Sequence, residues 1–189
     1  MNDYHPTVWR TCRVLANTHR LAGLKAVLHH PGECVGEIAT RIGAEMIQTS
    51  MGLRMLQARG LLSAQRDSRW VRYYPDPDPL VPDAAPILRG FRRAFLHDRL
   101  SSKQLVHGLT AFTHPRRLLV LRYLQKQHAV MFEVLAVKCK ISPPALYRHM
   151  KKLHARGLVT MREGRWMLCR TQKPLIKIFL TLIAHGPEA

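Results

Sequence analysis

Tyr147, Arg148 and Lys151 stand at i, i+1 and i+4 in the run ISPPALYRHMKKLHARGLV, with His149 and Lys152 beside them. An aromatic ring set among basic groups is chemistry for a polyanion, since Lys and Arg pair with phosphates and hydrogen-bond to base edges. Acting together requires one face of one helix, and the spacing provides it. Leu146, Met150 and Leu153 at i, i+4 and i+7 make an apolar stripe for a core, which leaves Tyr147, Arg148 and Lys151 on the opposite side. Ser142 reads as an N-cap whose hydroxyl takes an orphan backbone N–H, and Pro143 as the first helical residue. Gly157 ends the helix. Val159–Cys169 then reads as a strand, a tight Glu163-Gly164 turn and a second strand, with Arg162 and Arg165 beside the turn. A short helix with one buried and one cationic side suits the major groove of double-stranded DNA, and the hairpin suits a β-wing beside it.

The whole chain agrees with that chemistry. Its 189 residues carry 30 Lys+Arg against 12 Asp+Glu, a net charge of +18. A hydrophobic fraction of 47% supplies packed cores, so this is no disordered basic tail, and the charge surplus implies a polyanionic partner. Met1–Arg20 lacks the apolar run of a secretory leader, and the run near Leu175–Ala184 is too short for a bilayer. Four scattered cysteines without a CxxC pair fit a reducing compartment. No membrane role and a cytoplasmic, nucleoid-associated location are therefore expected.

The chain also repeats itself at an offset of 96 to 97 residues. Thr18-His19-Arg20 lines up with His114-Pro115-Arg116, and Glu37-Ile38-Ala39 with Glu133, Leu135 and Ala136. Leu56-Gln57-Ala58-Arg59-Gly60-Leu61 lines up with Leu153-His154-Ala155-Arg156-Gly157-Leu158, and Arg69-Trp70 with Arg165-Trp166. Two tandem units follow, 1–98 and 99–189, each mainly α with one small β-hairpin wing. In the first, helices are expected over Tyr4–Ala16, from Asn17 or Thr18 to Pro31, over Cys34–Ile42 and over Glu45–Ala58. A wing turning at Asp67-Ser68, a stiff extended spacer over Pro75–Pro82 and a helix over Pro86–Asp98 follow. In the second, helices are expected over Ser102–Phe112, Thr113–Gln125, within Met131–Ala155 and over Leu175–His185.

The runs LANTHRLAGLKAVL, GECVGEIATRIG, LQARGLL and SRWVRYY resemble an ArsR-type winged helix-turn-helix domain across residues 4–98. The runs THPRRLLVLRYL, EVLAVKCKISPPALYRHMKKLHARGLV and GRWML resemble the same family across about 99–183. Single-domain members of that family are homodimers, so the resemblance implies a pseudo-dimer in one chain. The joint it implies uses the terminal helices of each unit, with Trp9, Phe91, Phe95, Leu105, Phe179 and Leu182; the same residues could instead be core of each unit alone. Terminal helices of this kind could also pair two chains into a homodimer. Many relatives release DNA when metal binds an E-x-C-x-C motif. Here Glu33-Cys34-Val35-Gly36-Glu37 has Gly36 in place of the second Cys, which leaves too few thiolates for a metal site. Cys12 could approach Cys34 as a thiol sensor; the plainer reading makes both small buried apolar side chains. No metal and no cofactor are expected.

The units differ in charge. Residues 1–98 hold 13 Lys+Arg and 9 Asp+Glu, whereas residues 99–189 hold 17 and 3. Ser50, Met51 and Arg54 stand where Tyr147, Arg148 and Lys151 stand, and Gly52 weakens that first helix by roughly 1 kcal/mol relative to Ala. Gln48, Ser50 and Arg54 remain as DNA-binding candidates, with Arg66, Arg69 and Arg72 on the wing. Trp70 and Trp166 read as packing between wing and body. The reading favoured is a sequence-specific regulator of transcription, a repressor, with unit two as the stronger DNA reader. The alternatives are a low-specificity architectural DNA-coating protein and an RNA- or protein-docking module. An enzyme is not expected, since no nucleophile–base pair, phosphate-cradling loop or paired carboxylates stand out.

Overall fold

In a computed structural model, residues 7–171 and 173–185 are described, and they are mainly helical with two small antiparallel sheets. The first half runs α1 (Val8–Leu15), α2 (Thr18–His29), α3 (Val35–Ile42), α4 (Met46–Gln57), β1 (Ser63–Asp67), β2 (Trp70–Tyr74) and α5 (Ala84–Arg92), the last prolonged by a π-helical turn, Arg93–His97. The second half runs α6 (Ser102–Leu109), α7 (Pro115–Lys126), β3 (Val130–Met131), α8 (Phe132–Lys138), α9 (Pro143–Ala155), β4 (Val159–Arg162), β5 (Arg165–Leu168) and α10 (Pro174–His185). Tyr4–Pro6, placed in the first expected helix, lie outside the described residues.

Local chemistry explains the boundaries. Asn17 caps α2, its side chain accepting from Arg20 N at 2.9 Å. His114 does the same for α7, accepting from Arg116 N at 3.1 Å. Ser101 and Gln104 form a capping box on α6. α4 and α9 end alike: Gly60 and Gly157 adopt φ of +67° and +68°, where a Cβ is disfavoured. The following N–H groups then reach back, Leu61 to Leu56 O and Leu158 to Leu153 O, each at 3.1 Å.

Ser142 departs from expectation. It occupies the N-cap of α9 but makes no side-chain cap bond: Pro144 at the second helical position has no N–H to offer, and the Ala145 N–H at the third is not taken up. The spacer also differs. It folds back, with Asp78 N–H donating to Gly60 O at 2.9 Å and Val81 packed against the core. The first hairpin turns one residue later than expected, at Ser68-Arg69, with Asp67 opposite Trp70.

One continuous apolar cluster runs through both halves. α1 packs against α6 and α10, α2 against α6, and α5 against α10. Phe91, Phe95, Leu105 and Phe179 are buried there, and Phe179 stacks on Phe112 at 5.3 Å. Trp9 and Leu182 are only half-buried. α5 and α10 cross at Gly90, where a Cβ would stand 2.7 Å from Ile178 Cδ1 and 2.8 Å from Leu175 Cδ1. The apolar faces of the terminal helices are thus largely covered within the chain.

Candidate nucleic-acid interface

α9 has the two faces its spacing predicts. Leu146, Met150 and Leu153 are buried, while Tyr147, Arg148 and Lys151 are exposed, Tyr147 to 62%. Neither Arg148 nor Lys151 makes an ion pair among the described residues. Beyond Gly157, β4 and β5 place Arg162 directly opposite Arg165 across the Glu163-Gly164 turn. Two like charges facing each other across a strand pair disfavour the hairpin, so folding alone gives no reason for them.

His149 and Lys152 do not share the open face. Both are half-buried and turned toward α7. The His149 and His114 rings lie 4.7 Å apart. Arg117, only 6% exposed, donates through Nε to Ala111 O at 2.7 Å and through Nη2 to Thr110 O and Thr113 Oγ1 at 2.9 and 2.8 Å. Arg156 Nε reaches Thr110 Oγ1 at 2.9 Å. Burial, then the charges of His114, Arg117, Arg116 and Arg148, hold His149 down at about 4. Burial also lowers His114, helped by Arg117, Arg116 and Arg13, and lowers Lys152, helped by Arg117 and Arg156. Sequence reading missed this cluster because it aligned Arg20 with Arg116. The hydrogen bonds align Arg20 with Arg117: Arg20 likewise donates from its guanidinium to the backbone of the preceding helix, to Val14 O and Arg13 O.

α4 is framed like α9 but surfaced differently. Thr49, Leu53 and Leu56 are buried, whereas Met46 (60% exposed), Ile47 (75%), Met51 (62%) and Met55 face outward. Gln48 and Arg54 are exposed and Ser50 half-buried; Arg54 lies beside the Tyr73 phenol. The outer face of α4 is thus mostly apolar with a single cation.

On the first hairpin, Arg66 and Arg69 are exposed, with Arg66 Nε donating to Ser68 O at 3.3 Å and Arg69 over the Trp70 ring at 5.0 Å. Arg72 is a correction. Its guanidinium donates to Asp67 at 2.7 Å and to Gly32 O at 2.9 Å, and lies 4.0 Å from Glu37. It serves as a strut between hairpin and body and is no free phosphate ligand. Backbone pairing makes Arg165 its counterpart: Cys34 bridges to Arg72 as Met131 pairs with Arg165. The two acids that hold Arg72 have no counterpart there: Val134 stands 97 residues on from Glu37, and Arg162 faces Arg165.

Trp70 is the second correction. It is 47% exposed at the hairpin tip, whereas Trp166 is half-buried with its ring edge-on to His154. Trp166 pairs with Val130, and its counterpart beside Glu33 is the buried Tyr73, whose N–H donates to Glu33 O at 3.1 Å. Trp70 is three positions from Tyr73, an odd step, and so projects from the other face of the strand.

Cys12 and Cys34 are both free thiols. Cys12 is fully buried and burial pushes its thiol up, so it fills space as an apolar side chain; Cys34 occupies the N-cap of α3, its N–H donating to Glu37 at 2.7 Å. Among the described residues no group of three or more His, Cys, Asp or Glu is disposed to hold a metal ion, and no helix is long and apolar enough to cross a membrane. Comparison with known protein families and with curated proteins gives no match.

Proposed function

We propose that this chain is a sequence-specific double-stranded-DNA-binding regulator of transcription, a repressor, built as two tandem winged helix-turn-helix units resembling the ArsR type. Unit one spans 1–98 and unit two 99–189. The observation carrying this reading is the open face of α9, where Tyr147, Arg148 and Lys151 stand free of carboxylates above a buried Leu146/Met150/Leu153 stripe. An α-helix fits the major groove, and Arg162 and Arg165 on the hairpin would hold flanking phosphate. The contacts of α1 with α6 and of α5 with α10 support a pseudo-dimer, because each joins equivalent elements of the repeat. Repression is steric: a bound chain excludes the transcription machinery from its site. Such a protein works in the cytoplasm at the nucleoid, without a catalytic site.

Unit two is the stronger reader, since the outer face of α4 offers Arg54, Ser50 and Gln48 among exposed methionines. One observation favours a second reading. With base-reading groups concentrated on one helix and a net charge of +18, low-specificity DNA coating would draw on the same surface. Recovery of sheared genomic DNA by the purified protein at physiological salt, with sequencing of what stays bound, separates the two. A few sharp peaks sharing an asymmetric motif are expected; uniform coverage would move the reading to DNA coating, and no recovery would overturn both.

A further inference from the structure

The seam between α7 and α9 has an internal control, the seam between α2 and α4. In both, one arginine ties its helix back to carbonyls in the helix before or just past its end: Arg20 to Arg13 and Val14 in the first, Arg117 to Thr110 and Ala111 in the second. That tie closes the first seam with Asn17, His19, Gly52 and Met55 standing where His114, Arg116, His149 and Lys152 stand in the second. A Cβ on Gly52 would meet Arg20 Cγ at 3.3 Å, so the first seam has little room for a side chain there. The second seam has therefore gained three basic groups, and an arginine in place of His19, that closure does not require.

Protonating either histidine would set it against the charges around it. His114 and His149 are in ring contact at 4.7 Å, Arg117 is buried behind them, and Arg116 and Arg148 flank His149 from α7 and α9. Arg13 approaches His114 from α1, and Arg156 lies beside Lys152. None of them makes an ion pair with a carboxylate among the described residues. Lys152 is half-buried beside Arg117 and Arg156 without a counter-charge, a cost that a bound anion removes. The donor pattern fits an oxyanion. His114 Nδ1 accepts from Arg116 N, which leaves its Nε2 to donate, and His149, Lys152 and Arg116 add further donors.

We propose that this seam is an anion site that takes a single phosphate group of a duplex backbone, held by Arg116, His149 and Lys152 in front of His114 and Arg117. The inference rests on the duplex-binding reading above and adds a coupled proton. His149 is neutral at pH 7 in the free chain, because burial and the surrounding cations hold it at about 4. A phosphate beside it reverses the local field, so binding takes up a proton and tightens as pH falls.

The test is an NMR titration of the His149 ring in the full chain, assigned by its loss in His149→Gln, alone, with a random-sequence duplex and with inorganic sulfate. Bound duplex should raise the His149 pKa by at least about one unit, which is a tenfold gain in affinity over that pH span. His149→Gln and Lys152→Met should bind duplex with a flatter pH dependence, their folding checked by circular dichroism. Duplex that binds without moving His149 overturns the site and leaves the DNA reading standing. If no duplex binds, the DNA reading fails and sulfate decides: a raised pKa supports an oxyanion site for a free ligand, and an unmoved one overturns it.

Discussion

α4 and α9 are the same helix twice, and they differ in what they show to solvent. Both bury three side chains at i, i+4 and i+7, both end on a glycine at positive φ, and both lead into a hairpin. The outward positions hold Ser50, Met51 and Arg54 in one and Tyr147, Arg148 and Lys151 in the other. A shared frame with opposite surfaces teaches that burial specifies the helix and leaves its chemistry free. The hairpins repeat the lesson, with Arg72 neutralised by Asp67 and Glu37 and Arg165 left open.

The largest expected effect is on α9. Arg148→Ala with Lys151→Ala should abolish specific duplex recovery, each side chain being worth about tenfold to a hundredfold in affinity, while Arg54→Ala weakens binding much less. Equal losses from the two helices would break the asymmetry. Phe179→Ala tests whether both helices stand on one core. It should cost about 3–5 kcal/mol and lower the melting of both halves in a single calorimetric transition, and two separate transitions would contradict it. Met51→Arg with Met55→Lys gives α4 the cations of α9; it should raise duplex affinity and steepen the salt dependence by about one unit of slope per phosphate gained. An unchanged slope would mean that α4 does not face the duplex.

Smaller effects separate the hairpins. Arg165→Ala should lower the salt slope by about one without moving the melting temperature, whereas Arg72→Ala should lower the melting temperature slightly and leave the slope alone. The exchange of those outcomes would reverse the assignment of strut and ligand. The smallest effect is on the free chain. His149 ordinarily titrates at 6.5 and is held at about 4 when folded, so the unfolded chain takes up the proton first as pH falls. Stability is therefore full above about 6.5 and declines toward 4. The melting temperature should drop between pH 7 and pH 5, and less so in His149→Gln; identical slopes in the two proteins would remove His149 from that account.

Element positions and the two faces of α9 were legible because apolar period, caps and glycines are local signals. Three features were not. Trp70 and Trp166 look equivalent as neighbours of Arg69 and Arg165, yet strand parity counts from the pairing partners, and those are set by β3 and by Glu33-Cys34 far away in sequence. Arg72 reads as a free cation until the fold brings Glu37 to it. The His114–His149 contact joins residues 35 positions apart, and neither has a neighbour in sequence that announces it. Register with Arg148 already put Met51 on the outer face of α4, and Met46 and Ile47 are exposed there as well.

The crossing at Gly90 and the core it belongs to have a bearing on descent. In an assembly of two identical chains every genetic change is printed twice, so a crowded basic seam or a charged strut would arise in both copies at once. Here the repeats share one polypeptide and one apolar interior, with α5 pressed onto α10 at Gly90. Each surface can then accept its own substitutions while the partner surface stays as it was, and selection acts on the pair as a single inherited object.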